Sequence, residues 1–302
     1  MPEPCRPKQI KNHHKTMPNT HTSATHPLVY ALMAILLWSS LASLGTFTQR
    51  LPPFLVTAIA LAIGSLLSIR QIAHWRVPAK TFITGVAGIF GYHCLLFTAF
   101  RTAPALEANL LNYLWPLLIV LLSPVFKLGT LRWPHIVASL CGFSGAALIV
   151  TKGQLQLPSV LPVGFIFALA AAFTWACYSL QTRRLPAFPN AAVGGFCLAS
   201  ALLAGLCHLA FEPAILPDKQ EWPALLAMGI GPLGLSFFFW NIAMKSGDPR
   251  QIGALSYLTP LLSTMTLAAS GLGTMNRTSW IAAALILGGA IMGSVAGRKT
   301  EA

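Results

Sequence analysis

Long apolar runs dominate this chain, and charged residues, prolines or glycines separate them. A run of about 20 apolar residues can cross the hydrocarbon core of a bilayer as a helix. We therefore predict an all-α membrane protein with ten transmembrane helices. They lie at residues 28–46, 53–69, 81–100, 104–126, 132–150, 160–181, 190–211, 222–244, 249–270 and 278–297.

The composition agrees with lipid as the main surroundings of the chain. Of its 302 residues 55% are hydrophobic and 9% are charged, whereas a soluble domain is about 25% charged. The formal charge of +13 would suit nucleic acid, but the basic residues punctuate the apolar runs instead of gathering on one face. We expect the lipid bilayer as a partner and no nucleic acid. The cysteines show no metal-ligand spacing, so we expect neither a metal nor another cofactor.

The polar ends and the basic residues predict how the chain is oriented. Residues 1–26 are too polar to bury a core, and we expect a disordered N-terminal tail. With this tail inside the cell, 15 of the 20 Lys and Arg residues lie on the inner side. Because cytoplasmic loops carry the excess of basic residues, both this tail and the C-terminal tail, residues 298–302, are expected in the cytoplasm.

The chain contains an internal repeat. A shift of 144 residues superposes Tyr113-Leu114-x-Pro116 on Tyr257-Leu258-x-Pro260, and Leu128-Gly129-Thr130 on Leu272-Gly273-Thr274. We predict two five-helix repeats, at residues 27–152 and 158–297. Since five is odd, the second repeat is inverted relative to the first. Inverted repeats are typical of transporters whose substrate site lies near the midplane.

Polar groups at membrane depth are candidates for that site, because they are costly to bury. Asn109 and Asn112 share a face of the fourth helix. Pro116 and Pro260 free the carbonyls of Asn112 and Ser256, which predicts a hinge in each half and two groups able to bind a donor. Equally well, the two prolines could produce purely structural kinks in which neighbouring hydroxyl groups bond the freed carbonyls.

Aromatic and imidazole groups in the middle of the spans are the other candidates. His93, next to Tyr92, could bind a substrate carboxylate, shuttle a proton, or simply bond across helices. Mid-span aromatics could stack on a flat substrate or merely pack. The full set of predicted substrate-binding residues is Trp38, Tyr92, His93, Asn109, Asn112, Trp115, Trp175, Tyr178, Trp240, Asn241, Ser256 and Tyr257.

The ten spans, the duplication and the proline-centred fourth and ninth helices together resemble the drug/metabolite transporter superfamily, in its EamA-domain branch, over residues 28–297. The pair Tyr92-His93 and the stretch Glu107-Ala-Asn109-Leu-Leu-Asn112-Tyr-Leu-Trp115-Pro116 are similar to the YddG-type aromatic amino acid exporters. This resemblance implies export of aromatic amino acids across a bacterial inner membrane, with an outward-opening central cavity.

Alternating access about a midplane cavity is the expected mechanism, with helices one, three, four, six, eight and nine as its walls. Glu107 is the one carboxylate within a span, and we expect it to pair with Arg101. Without a central acid, transport should be facilitated or weakly coupled. The alternatives are export of drugs or other flat metabolites by the same fold and, less favoured, a membrane enzyme, for which motifs such as HExxH are missing. Glycine patterns suit close packing within a monomer or between two copies, so they leave a homodimer open.

Overall fold

The computed structural model describes residues 27–154, 161–272 and 274–298. These residues form helices, and no strand occurs among them. They group into ten helical segments along the described chain, which we number α1 to α10. The segments are α1 Pro27–Gly45, α2 Pro53–Leu66, α3 Ala79–Thr102, α4 Ala105–Leu122, α5 Trp133–Thr151, α6 Gly164–Thr182, α7 Ala192–Phe211, α8 Trp222–Ser246, α9 Pro249–Ala269 and α10 Arg277–Arg298. The predicted tails, 1–26 and 298–302 except Arg298, lie outside the described residues.

Eight of the described helices are long and apolar enough to cross a membrane. Helix α2 has 14 residues and reaches that length only together with the 3-10 segment Ile69–Trp75, from which it is bent by 92°. The apolar part of α10, Arg277–Gly293, falls short of the same length. The all-helical class and the multi-pass character are therefore confirmed.

The prediction for the second span, 53–69, is too long, because the helix ends at Leu66 and the chain then turns. Ser68 marks this turn: its hydroxyl donates to the carbonyl oxygen of Ala191 at 2.9 Å and accepts from the indole nitrogen of Trp75 at 3.0 Å. These bonds hold the following segment across the beginning of α7. The fourth predicted span, 104–126, also ends early, at Leu122.

Prolines and acidic side chains mark several helix beginnings. Pro53 and Pro249 occupy the first position of α2 and α9, where a missing N–H costs nothing. Asp248 caps α9 by accepting from the backbone nitrogen of Arg250 at 2.9 Å. Glu212, at the end of α7, caps α2 by accepting from the backbone nitrogen of Phe54 at 3.0 Å. The cap on α2 thus ties a helix of the first half to the C-cap residue of α7 in the second half.

Helices α5 and α10 pack through glycine. A Cβ added at Gly145 would lie 2.7 Å from the carbonyl oxygen of Ala282, and one added at Gly289 would lie 2.6 Å from that of Ala138. Only glycine allows the two backbones to approach so closely. The predicted glycine patterns therefore act within the chain at this contact.

Two π-helical turns interrupt α3 and α8 at positions 144 residues apart, Ala87–Gly91 and Gly231–Leu235. Helices α4 and α9 are broken as well, around Tyr113 and around Ser256-Tyr257. Such interruptions re-aim side chains and are frequent at functional sites. Here all four lie in helices that enclose the central cavity.

Candidate functional site

A cavity of about 500 Å³ lies between α1, α3, α4, α6, α8 and α9. They are the six helices that the sequence analysis assigns to it. Among the described residues, no Asp, Glu, Lys or Arg takes part in its lining. The lining residues are Trp38, Leu41, Ala42, Tyr92, His93, Leu96, Phe100, Ala105, Asn109, Asn112, Tyr113, Trp115, Trp175, Leu233, Phe237, Thr259 and Ser263.

Tryptophan side chains form one wall of the cavity. The ring centroid of Trp38 lies 6.2 Å from that of Trp115 and 5.7 Å from that of Trp175, both nearly edge-on. Trp240 lies behind them, 5.1 Å from Trp38, and its indole nitrogen donates to the Ser179 hydroxyl at 2.9 Å. Edge-on aromatic contacts are worth about 0.5–1.5 kcal/mol each beyond burial. The wall thus offers a flat apolar ligand several rings to pack against.

The histidine of the cavity is held in one tautomer. The Nδ1 atom of His93 lies 2.7 Å from the carbonyl oxygen of Ile89. Because a carbonyl only accepts, Nδ1 carries the hydrogen, and the Nε2 atom of neutral His93 is left as an acceptor. Neutral His93 can therefore bind an ammonium or indole N–H donor. It cannot donate to a carboxylate, which was one of the alternatives from the sequence.

Two polar atoms of the lining residues are buried and have no hydrogen-bond partner, Asn112 Oδ1 and Thr259 Oγ1. The amide nitrogen of Asn112 donates to the Tyr92 hydroxyl oxygen at 3.2 Å. This bond joins α3 to α4 and leaves the amide oxygen as the unbonded atom of Asn112. The other lining amide, Asn109, is half-buried.

The break in α4 exposes a backbone N–H rather than only a carbonyl. Tyr113 has ψ 2°, so the helix does not continue regularly into the Pro116 segment. The backbone nitrogen of Leu117 donates instead to the hydroxyl of Tyr257, at 3.2 Å. We predicted freed carbonyls at Asn112 and Ser256. The prediction for Ser256 is wrong, because its carbonyl oxygen accepts from the backbone nitrogen of Thr259 at 3.1 Å. Tyr257 closes the break from the opposite half of the chain.

Seven of the predicted substrate-binding residues line the cavity, and five do not. The five outside the lining are Tyr178, Trp240, Asn241, Ser256 and Tyr257. Tyr178 packs against Gly88 and against Trp175, at 5.4 Å between ring centroids. Asn241 donates to the Asn190 side-chain oxygen at 2.6 Å, and Ser256 bonds a carbonyl one turn earlier. Of these five, Tyr178 and Trp240 contact the tryptophan wall from outside the cavity.

The sequence analysis missed several lining residues, of which Phe237 and Thr259 are the most informative. Phe237 packs against Trp175 with 5.8 Å between ring centroids. The 144-residue shift places Phe237 on His93 and Thr259 on Trp115. Applying the repeat to each predicted site residue would have found both. Chemical type alone could not, because phenylalanine and threonine are ordinary residues in a membrane helix.

In the described part of the chain, ion pairs lie at the ends of the bundle and not in the cavity. Arg50 donates to both carboxylate oxygens of Glu221, at 3.2 and 2.7 Å, and lies 3.0 Å from Asp218. The hydrogen bond from Arg50 holds the pKa of Glu221 below its usual value. The predicted pair between Arg101 and Glu107 is wrong: Arg101 donates to the backbone oxygen of Phe211 at 3.3 Å. The α3–α4 turn that separates the two residues points Arg101 toward α7.

The other end of the bundle is closed by contacts between its loops. The buried Arg250 side chain pairs with Asp248 at 2.7 Å and donates to the backbone oxygen of Thr130 in the other half of the chain. The ammonium of Lys245 donates to the backbone oxygen of Phe188 at 2.8 Å and lies 3.3 Å above its ring. These contacts link the α4–α5 loop to α9, and the α6–α7 loop to α8.

Comparison with known proteins gives concordant results. The model of the EamA-like transporter family matches residues 26–151 and 162–295. The aromatic amino acid exporter YddG of Ancylobacter novellus is 41% identical over 276 residues, which cover 88% of this chain and 96% of that protein. The protein of the same name from Escherichia coli K12 is 24% identical over 283 residues, 89% of this chain and 96% of its own length. A solved crystal structure 40% identical in sequence has a TM-score of 0.85 and covers 90% of this chain and 98% of its own.

A bundle of apolar helices around a central cavity, with family matches over both halves of the chain, defines a multi-pass membrane transporter and not an enzyme. The chain belongs to the EamA-like transporter family.

Proposed function

We propose that this protein exports aromatic amino acids and related small metabolites across a bacterial inner membrane. The observation that carries the proposal is the cavity itself, which combines a tryptophan wall with polar atoms of uncharged side chains. A flat side chain can pack against the wall, while the amino and carboxylate groups of a zwitterion need hydrogen bonds but no net counter-charge. Relatives named aromatic amino acid exporters support this substrate class.

The proposed architecture is ten membrane crossings in two inverted five-helix repeats, residues 27–152 and 158–297. Each half of the chain is matched once by the family model. The π turns of α3 and α8 and the breaks of α4 and α9 recur at equivalent positions of the 144-residue shift. An odd number of crossings in each repeat requires the second to be inverted. Helix α2, with 14 residues, would be the short crossing of the first repeat.

The proposed orientation places both termini in the cytoplasm, as the distribution of Lys and Arg predicts. The lining near the α3–α4 turn, at Phe100 and Ala105, then faces the outside, so the cavity is outward-opening. The contacts of Arg250 and Lys245 close the cytoplasmic end. Alternating access would break these contacts and close the outer end, with Pro116 and Pro260 as the hinges.

The proposed transport is facilitated or weakly coupled. A zwitterion has no net charge, so the membrane potential contributes little to the free energy of its transport. With an uncharged lining, the substrate gradient is the main driving force. The proposed working unit is a monomer, because the cavity is enclosed by helices of one chain.

Efflux of labelled tryptophan, phenylalanine, tyrosine, leucine and alanine from proteoliposomes tests this function. We expect faster efflux of the three aromatic amino acids than of leucine or alanine. Trp115→Ala should reduce aromatic efflux at least severalfold, whereas Trp280→Ala, at an exposed helix start, should not. Equal rates for all five amino acids, or none, would contradict the proposal, and transport of a flat drug instead would favour the alternative substrate class.

A further inference from the structure

The polar atoms of the cavity lining differ in whether the protein itself satisfies them. The Nδ1 atom of His93 and the amide nitrogen of Asn112 have protein partners. Asn112 Oδ1 and Thr259 Oγ1 have none, although the two residues are only 4% and 9% exposed. Buried polar atoms are nearly always hydrogen-bonded in native proteins. Two unbonded atoms in the wall of one cavity therefore indicate a ligand that supplies the missing partners.

The hydroxyl of Thr259 differs from those of other helical threonines in this chain. A threonine within a helix commonly donates to the carbonyl four residues earlier. Thr98, Thr182 and Thr264 do so, at 2.8, 2.9 and 2.9 Å. The corresponding bond to Leu255 is missing for Thr259, which follows the break at Ser256-Tyr257. The break leaves this hydroxyl, on a residue that lines the cavity, without the usual acceptor within the helix.

Asn112 and Thr259 lie beside the two broken turns, which pack against each other. A Cβ added at Gly253 in α9 would lie 2.9 Å from the carbonyl oxygen of Pro116 in α4. The bond from Leu117 to Tyr257 joins the same two turns. Because this contact fixes α4 against α9, the two unbonded oxygens occupy defined positions in the lining. The 144-residue shift puts Thr259 where the first half carries Trp115, so one half supplies a ring and the other a hydroxyl.

We propose that Asn112 Oδ1 and Thr259 Oγ1 accept hydrogen bonds from the α-ammonium group of the transported amino acid. The proposal rests on the proposed function and names the part of the substrate that these atoms bind. An ammonium group has three donors and no acceptor, while an amide oxygen can only accept and a hydroxyl can do either. The Nε2 atom of His93 is a third acceptor in the same cavity.

This arrangement recognises an ammonium group through neutral acceptors. It requires no buried carboxylate, in agreement with the uncharged lining among the described residues. Substrate analogues that keep the ammonium group should therefore depend on Thr259, and analogues that lack it should not. The aromatic side chain of either kind of analogue still packs on the tryptophan wall.

Competition for labelled tryptophan counterflow in proteoliposomes tests the proposal. The competitors are tryptophan, tryptamine, which lacks the carboxylate, and indole-3-propionate, which lacks the ammonium group. Thr259→Val removes the hydroxyl at nearly constant volume, and Thr259→Ser keeps it. We expect Thr259→Val to raise the half-inhibitory concentrations of tryptophan and tryptamine by about tenfold, while that of indole-3-propionate changes less than about twofold. Thr259→Ser should resemble the wild type with all three.

An equal shift for all three competitors, or no shift, would overturn the assignment of Thr259 and leave the proposed function standing. Wild-type protein that does not transport tryptophan would overturn both. Gel filtration and the thermal midpoint in detergent report whether each variant folds. If Thr259→Val does not fold, Thr259→Ala gives the same test, with the same selective loss expected for the two competitors that carry an ammonium group.

Discussion

The hydroxyl of Tyr257 accepts a hydrogen bond from the backbone nitrogen of Leu117 at 3.2 Å, across the interface between α9 and α4. Tyr257 is completely buried, and the N–H that it binds is the one that the break in α4 exposes. Tyr113, its equivalent under the 144-residue shift, instead lines the cavity. Among the described residues, the Tyr113 hydroxyl makes no hydrogen bond. The two halves therefore use the same tyrosine differently.

Tyr257→Phe should destabilise the protein more than Tyr113→Phe. Loss of the Tyr257 hydroxyl leaves the buried Leu117 N–H unbonded, at a cost of about 1–3 kcal/mol. Tyr113→Phe removes a hydroxyl without a protein partner and should change stability little. Thermal midpoints of both purified variants in the same detergent test this difference, and equal midpoints would contradict it.

Gly289→Ala should destabilise the contact between α5 and α10. The added methyl group would lie 2.6 Å from the carbonyl oxygen of Ala138, so the helices must move apart. Overpacking of this kind costs about 1–3 kcal/mol. The adjacent Gly288 has open space where its Cβ would be, which makes Gly288→Ala a matched control. Alanine is the better helix former, so Gly288→Ala should not lower the thermal midpoint in detergent. An equal loss of stability in both variants would contradict the packing explanation.

Arg250→Met should weaken the closed end of the bundle. It removes the bond to Thr130 and the charged partner of the partly buried Asp248 carboxylate, which keeps only the bond from the backbone nitrogen of residue 250. Breaking a buried ion pair on one side costs about 3–5 kcal/mol. Arg184→Met removes an exposed charge nearby on the same side and should have little effect. Accessibility of single cysteines placed in the α4–α5 loop, measured with a membrane-impermeant thiol reagent, should rise only in the Arg250 variant.

Glu221→Gln should remove part of the acid sensitivity of the protein. Because Arg50 lowers the pKa of Glu221 in the folded state, the pair stabilises the fold above the unfolded pKa, which is about 4.3. This stabilisation is lost as the pH falls through the lower, folded pKa. The variant should thus be less stable than the wild type at neutral pH and equally stable at strongly acidic pH. Thermal midpoints across the pH range check this, and a constant difference would contradict the linkage.

The helical segments and the repeat could be read from the sequence because both are properties of the chain in one dimension. An apolar run of bilayer length forms a helix whatever its neighbours are, since backbone groups in lipid must bond within the segment. The repeat is visible as residue identity at a constant shift, as with Pro116 and Pro260. The ends of the helices were predicted less accurately, for example at Leu66. The turn at Ser68 depends on a hydrogen bond to Ala191, next to another helix, and this contact cannot be seen in the local sequence.

The sequence by itself determined that the chain is a helical membrane protein with an internal duplication, and which polar and aromatic residues lie within its apolar helices. Only the tertiary structure decided which of them reach the cavity. Trp115 and Trp240 look alike in sequence, yet one lines the cavity and the other is bonded to Ser179 behind it. The tautomer of His93 and the unbonded hydroxyl of Thr259 also depend on the local fold. The physical reason is that packing sets the rotation of each helix about its axis, and the membrane constrains mainly its length and polarity.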